Sequence, residues 1–300
     1  VPSVIGEGLM AGSERKKAGI LHGNCCKIPL VKSTKLPLGR DTDYPQKYAP
    51  EVLCPIARAA SREPLGITEP LPFAGIDIWN AWELTWLGDN GHPKVAIAEI
   101  RVPADSQNLV ESKSLKLYLG SFAMSRFADP AHVEKTIATD LSECTGAPVE
   151  VMLDPDVSVA SLAGPCIDAF DIDCDTWEVD AELLQADERV TVEESLHSHL
   201  LRSLCPVTAQ PDIGSVEIRY KGPRIDPQSL LRYIASYREH NDFHEACVER
   251  MYIDIWKRCA PTTLSVYARY QRRGGIDINP FRSSRRRQVE RPPNTRLWRQ

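Results

Sequence analysis

The 300-residue chain predicts an α+β fold built from two tandem copies of one unit, each an antiparallel sheet with two helices. Three observations predict it. Residues 114–122 (SLKLYLGSF) align without gaps with residues 229–237 (SLLRYIASY) at an offset of 115, and Cys144 with Cys259 and Val151 with Val266 keep that offset. Residues 98–102 (AEIRV) match 216–220 (VEIRY) at an offset of 118, so the first copy carries three extra residues, around Asp105-Ser106-Gln107. Finally, the apolar period alternates between two and about four within a copy, in the order strand, strand, helix, helix, strand.

Taken in chain order, residues 1–35 mix Gly, Lys and Ser without period and read as a mobile extension. Residues 36–160 form the first unit, opening with a Pro-rich wrap to about Ile67. Residues 161–185 are an acidic connector, and 186–300 form the second unit. There Val216, Ile218 and Tyr220 alternate as a half-buried strand does. Asp226-Pro227 is an N-cap with proline at the first helical position, ahead of an apolar face of Leu230, Leu231, Ile234 and Tyr237. Phe243, Cys247, Met251, Ile255 and Cys259 recur every four residues, which predicts a second helix. Leu264, Val266, Ala268 and Tyr270 then alternate as a strand.

Composition narrows the function. Lys+Arg total 36 against 41 Asp+Glu, a net charge of −5 that gives no reason to expect nucleic acid as the main partner. No apolar run approaches the roughly 18–20 residues of a membrane span. The start, VPSVIGEGLMAGSERKK, lacks the pattern of a secretory signal. Nine cysteines without a regular framework read as reduced thiols in a cytoplasmic protein.

Cys205 and Asp212 stand seven residues apart in SLCPVTAQPDIGS. A thiol in a Pro-containing turn can attack an electrophilic carbon if a nearby group takes its proton, and Asp212 is placed to do so. The plainer readings are a small buried hydrophobe and a turn-forming Asp. In HNDFHEACVER, Glu245 reads either as the capping-box partner of Asp242 or, with His244, as a cleft residue at a helix start. VESKSLKLY holds Glu111, Ser112, Lys113 and Lys116, either a charged helix start or part of a site. YQRRGGIDINPF holds Arg272, Arg273, Gly274 and Gly275, either a glycine bulge or a close backbone approach with phosphate-reading arginines. Across the repeat, Leu87 stands opposite Cys205, Asp129 and Pro130 opposite His244 and Glu245, and Asp226-Pro227-Gln228 opposite Glu111-Ser112-Lys113. Each copy lacks what the other keeps, which predicts one composite site. Gly6-Glu7-Gly8 lacks the spacing of a dinucleotide loop. Thr176 stands where an Asp171–Glu182 calcium loop needs glycine. The Arg285–Arg287 run reads as a solvated end, and no Cys/His spacing predicts a metal.

Together, SLCPVTAQPD, VESKSLKLY, HNDFHEACVER and RRGGIDINP resemble the 7-cyano-7-deazaguanine reductase family, the nitrile reductases of queuosine biosynthesis, in its long two-copy form. The likeness runs from about Leu36 to the C-terminus. It implies two tandem tunnelling-fold units and NADPH as cofactor. It implies Cys205 as the nucleophile that forms a covalent thioimide and Asp212 as proton donor. Val110, Glu111, Ser112, His244 and Glu245 are implied for the substrate, and Ser112, Lys113, Arg273 and Gly274 for NADPH. The residues alone leave two rivals: a thiol-dependent nitrile or amide hydrolase, and a non-catalytic purine- or pterin-binding module. A short open sheet leaves unpaired edges, so a homodimer is expected.

Overall fold

A computed structural model of the chain describes residues 44–286 and 292–300. The expected extension, residues 1–35, lies outside the described residues. The described residues fall within one compact unit, residues 33–300.

Short elements come first: strand β1 (Pro55–Ala57) and helix α1 (Ala59–Arg62). The first copy then runs β2 (Ala74–Leu87), β3 (Pro93–Pro103), a three-residue strand β4 (Asn108–Val110), α2 (Ser112–Gly120), α3 (Pro130–Thr145) and β5 (Glu150–Leu153). The second runs β6 (Ala186–Leu204), β7 (Pro211–Ile225), α4 (Pro227–Ser236), α5 (His244–Cys259) and β8 (Thr263–Tyr270), followed by β9 (Ile276–Ser283). Seven strands form one antiparallel sheet in the order β5-β3-β2-β9-β8-β7-β6, and β1 pairs with β4 separately.

The repeat is visible in the register. Ile100 on β3 pairs with Val151 on β5, and Ile218 on β7 pairs with Val266 on β8, which reproduces both sequence offsets. The two long hairpins share an irregularity at the same place, between Ala81 and Leu84 on β2 and between Ser198 and Leu201 on β6, and β6 carries a second between Asp187 and Thr191. The match between Leu87 and Cys205 needs correction. Leu87 pairs with Pro93 as Leu204 pairs with Pro211, so Leu87 is the counterpart of Leu204. Gly88 N–H donates to His92 O as Cys205 N–H donates to Gln210 O, so glycine stands where the second copy has its thiol. The second loop holds one more residue than the first, and this shifts the ungapped match by one.

Local chemistry sets the helix starts. Asp226 caps α4 by accepting from Ser229 N–H at 2.9 Å, and Asp129 caps α3 by accepting from His132 N–H at 2.8 Å. Asp242 and Glu245 form no capping box: the N-cap of α5 is Phe243, without a side-chain bond, and Asp242 accepts from Phe243 N–H instead. Each helix pair packs on its own core. One gathers Tyr118, Phe122, Ile137 and Leu141 against Ala98 and Ile100, and the other gathers Leu230, Tyr233, Met251 and Ile255 against Val216 and Val266.

The element that joins the copies is β9. It pairs with β2 from Ala74↔Ser283 to Ala81↔Ile276, and with β8 from Ser265↔Ser283 to Tyr267↔Phe281. Sequence reading saw only a glycine turn there. The alternation of Ile276 and Ile278 was present, but Gly274-Gly275 before it and Pro280 within it obscured the strand signal. Buried ions cross the same seam. Arg282 on β9 donates to Asp77 on β2 at 2.7 Å and to Glu249 on α5 at 2.9 Å. Arg58 closes on Asp77 at 2.6 Å and Arg62 on Glu249 at 2.7 Å. Burial alone would raise both carboxyls, but the arginines hold Asp77 and Glu249 below the ordinary carboxylate range.

Removing one member leaves uncompensated charge in the interior. Arg282→Ala is expected to cost roughly 3–5 kcal/mol, read as a lower denaturation midpoint in urea. A midpoint equal to wild type would show that the seam does not depend on these ions.

Candidate active site

The β6–β7 hairpin presents the thiol. Its loop closes on Cys205 from both sides: Cys205 N–H donates to Gln210 O and Ala209 N–H donates to Cys205 O, each at 2.9 Å. Ala209 takes φ +54 to make the turn. Cys205 is a free thiol with 9% of its surface exposed.

That thiol lines a cleft of about 680 Å³, counting its open mouth. Both copies and the seam build the walls. Trp79, Val110, Ser112 and Lys116 come from the first copy, and Asp212, His244, Glu245 and Arg273 from the second, while Ile276 and Ile278 of β9 lie between. Cys205, Asp212, Val110, Ser112, His244, Glu245 and Arg273 therefore share one cavity, as a composite site requires.

Asp212, the second residue of β7, stands opposite Ser203 on β6. Its carboxylate is buried and accepts from the Arg273 guanidinium, which also donates to Gln210 Oε1. His244 Nε2 lies 3.7 Å from the same carboxylate. His244 opens α5 and packs edge-to-face on Tyr270 with ring centroids 4.1 Å apart. Burial pushes its imidazole down to about 4; Asp212 pulls the other way, and Arg273 and Lys116 add to the effect of burial. The ring is neutral near pH 7 and so keeps one N–H donor and one acceptor.

Glu245 and Glu249 lie one turn apart on α5, yet differ in state. Glu249 meets the arginines, whereas Glu245 is buried above them, and burial pushes its carboxyl up to about 8, with Asp77 adding repulsion. Glu245 is therefore mostly protonated at pH 7 and able to exchange that proton for a ligand's N–H.

Glu111 is used differently from its neighbours. It is the N-cap of α2 and fully buried, accepting from Lys113 N–H at 2.9 Å and Ser114 N–H at 2.7 Å. It does not line the cleft; it fixes the backbone that brings Val110 and Ser112 there. Lys113 and Gly274 are also outside the lining. Gly274 takes φ +60, and a Cβ there would sit 3.3 Å from Lys116 Cδ. Lys116 was visible in the sequence only as one charge of a helix start. The i, i+4 spacing from Ser112 was the available signal, because it puts both on one face of α2. Burial first, and Arg273 second, lower the pKa of its ammonium, against the pull of Glu111, Asp212 and Cys205. Trp79 was missed because it is apolar and far away in sequence. Among the described residues no helix is long and apolar enough to cross a membrane.

Comparison with known proteins places this geometry in a family. A profile for the N-terminal part of the nitrile reductase, 7-cyano-7-deazaguanine reductase, matches residues 44–153, and one for QueF-like proteins matches residues 211–289. The chain is 54% identical over 271 residues to the NADPH-dependent 7-cyano-7-deazaguanine reductase of Azoarcus sp. (strain BH72), covering 88% of this chain and 96% of that protein. It is 52% identical over 270 residues to the reductase of the same name from Burkholderia multivorans, covering 88% and 98%. The protein from Paraburkholderia xenovorans is 51% identical with the same coverage. The chain belongs to the 7-cyano-7-deazaguanine reductase family, and its two-copy α+β architecture is that of tandem tunnelling-fold units.

The raised Glu245 carboxyl has a signed consequence. Between about 4.5 and about 8 the folded protein holds a proton there that the unfolded chain releases, so this group lowers stability as pH rises through that window. Urea unfolding of wild type and Glu245→Gln should therefore diverge in favour of the variant from pH 5.5 to 7.5, by on the order of 1 kcal/mol per unit. A pH-independent difference would mean that Glu245 titrates normally.

Proposed function

We propose that the chain, as a member of this family, uses NADPH to reduce the nitrile of 7-cyano-7-deazaguanine to the primary amine, with Cys205 as nucleophile and Asp212 as the proton-transfer group. The observation that carries the residue assignment is the placing of a free thiol and a buried carboxylate in one cleft walled by both copies.

A nitrile carbon is only weakly electrophilic, so addition needs a proton delivered to nitrogen as sulfur attacks. Asp212 takes the Cys205 proton and passes it to that nitrogen, leaving a C–S bond and a C=NH group, the thioimide. NADPH supplies hydride to that carbon, and a second equivalent reduces the imine released when the Cys205 thiolate departs. Two hydrides and two protons balance the four-electron reduction from nitrile to amine. Asp212 is the local group that returns protons to nitrogen. The neutral His244 ring and the Glu245 carboxyl face the cleft with one donor and acceptor set each, suited to the N–H and C=O edge of a deazaguanine. Burying such groups penalises analogues that leave them unpaired. Glu111 acts on the substrate side through the backbone it caps, beside Val110 and Ser112.

The residues assigned to NADPH fit an anionic cofactor on their chemistry. Ser112 opens α2 and brings a hydroxyl, and Lys113 follows it with a cationic side chain, while the Lys113 and Ser114 backbone N–H groups are already taken by Glu111. Arg273 and Lys116 bring cations from the two copies, and Gly274 permits close backbone approach. Arg273 pairs with Asp212, so a cofactor phosphate and Asp212 would compete for one guanidinium.

The same reading assigns residues 36–160 and 186–300 to the two units, with 161–185 as connector. It makes the protein a cytoplasmic homodimer without direct nucleic-acid contact; a monomeric mass in sedimentation would remove the dimer.

Intact-mass measurement with the nitrile substrate and no NADPH should show one covalent adduct on wild type and none on Cys205→Ala; an adduct on the variant would refute the nucleophile. Asp212→Asn should retain substrate binding and lose roughly 10²–10⁴-fold in the rate of NADPH consumption. Undiminished turnover would remove Asp212 from the mechanism.

A further inference from the structure

The connector meets the outer strand of the sheet away from the cleft. Ile167 N–H donates to His197 O at 2.9 Å and His197 N–H donates to Pro165 O at 3.1 Å, a short parallel bridge that sets Cys166 beside His197. The approach is close. Gly164 takes φ +75, and a Cβ there would lie 1.8 Å from the Ser195 carbonyl oxygen. His197 and His199 are two residues apart on β6, so their side chains share a face. One ligand atom from each of Cys166, His197 and His199 lies within 4.8 Å of the other two. None of the three lines the cleft.

Second contacts orient both rings. His197 Nδ1 lies 3.1 Å from Ala163 O, so this nitrogen carries the proton and leaves Nε2 with a free lone pair. His199 Nδ1 is engaged by Ser215 Oγ at 2.8 Å. Ring nitrogens tied back to a carbonyl or hydroxyl are the usual support of a ligating histidine. Asp168 accepts from Ser198 Oγ at 2.6 Å and from His199 N–H at 2.9 Å, which pins the connector just after Cys166.

We propose that Cys166, His197 and His199 form a transition-metal site that fastens the connector to the edge strand. One thiolate and two imidazoles suit Zn²⁺, with a fourth tetrahedral position left for water. Zinc bonds of about 2.0–2.3 Å put neighbouring ligands roughly 3.3–3.8 Å apart, so side-chain rotation closes the observed spacing. Binding forms a Zn–S bond and releases the Cys166 thiol proton to solvent. Sequence spacing did not reveal the trio, since Cys166 precedes His197 by a long stretch of chain and only the bridge brings them together.

The test uses untagged full-length protein, stripped with chelator and desalted, then titrated with Co²⁺ as a coloured stand-in. One equivalent should develop thiolate-to-cobalt charge-transfer absorption, and Zn²⁺ should displace it. Zn²⁺ should raise the thermal midpoint of wild type and leave that of Cys166→Ser unchanged. Cys166→Ser should lose the charge-transfer band, and His199→Gln should weaken Co²⁺ binding at least roughly tenfold. Cys166 is exposed, so its variant is expected to keep the metal-free midpoint. Absence of saturable Co²⁺ uptake by wild type, or an undiminished band in Cys166→Ser, would overturn the site; the latter would show that another thiol binds the metal.

Discussion

The cleft exists because two half-sheets are locked edge to edge by a strand that belongs to neither repeat. β9 pairs with β2 on one side and β8 on the other, and its Ile276 and Ile278 form the floor between the two sets of cleft residues. Arg282, Asp77, Glu249, Arg58 and Arg62 cross the same seam further along β9. Buried ion pairs are weak evidence for net stability, because each charge loses its hydration. What they supply here is register. A slip of β9 by one residue would turn Arg282 to the opposite face and strand two carboxylates. The distance from Lys116 on one copy to Asp212 on the other is set by that register.

Four buried carboxyls in and around the cleft show how position assigns chemistry. Glu111 spends both oxygens on the backbone amides of α2 and serves as a rivet. Glu249 is saturated by arginines and is structural. Asp212 has one cation against it, on a residue that a cofactor phosphate can draw away. Glu245 has burial without a direct cation and is held protonated near neutral pH. A group left in that condition costs stability, and such costs concentrate where a ligand relieves them.

Much of this was legible in the sequence. The repeat offsets made Ile100 equivalent to Ile218 and Val151 equivalent to Val266, and the sheet pairs each with its own copy's partner in the same way, since register follows the apolar pattern when one face is buried. The pairing of Leu87 with Cys205 failed by one residue because an ungapped alignment cannot see a loop that lengthens by one. Cys205, Asp212, His244 and Arg273 carry distinctive chemistry and were readable. Trp79 and Ile278 were not, because an apolar wall looks like core until something is opposite it. Glu245 was ambiguous for a physical reason: the spacing from Asp242 is that of a capping box, and only the turn of Asp242 toward Phe243 N–H frees Glu245 for the cleft.

The first copy's hairpin explains why one chain needs only one site. At the counterpart of the thiol it has Gly88, and by the strand register the counterpart of Asp212 is Lys94, which faces Trp86 as Asp212 faces Ser203. Its loop is tied down by Arg126, which donates to Asp89 O and crowds Gly91. A glycine cannot attack, and a lysine there cannot take a proton from a thiol that is absent. What the first copy retains is the start of α2, with Val110, Ser112 and Lys116 delivered to its partner's cleft. Once one copy supplied the reacting pair and the other the binding wall, restoring either half to completeness would add no second cleft, because among the described residues β9 alone joins the two half-sheets.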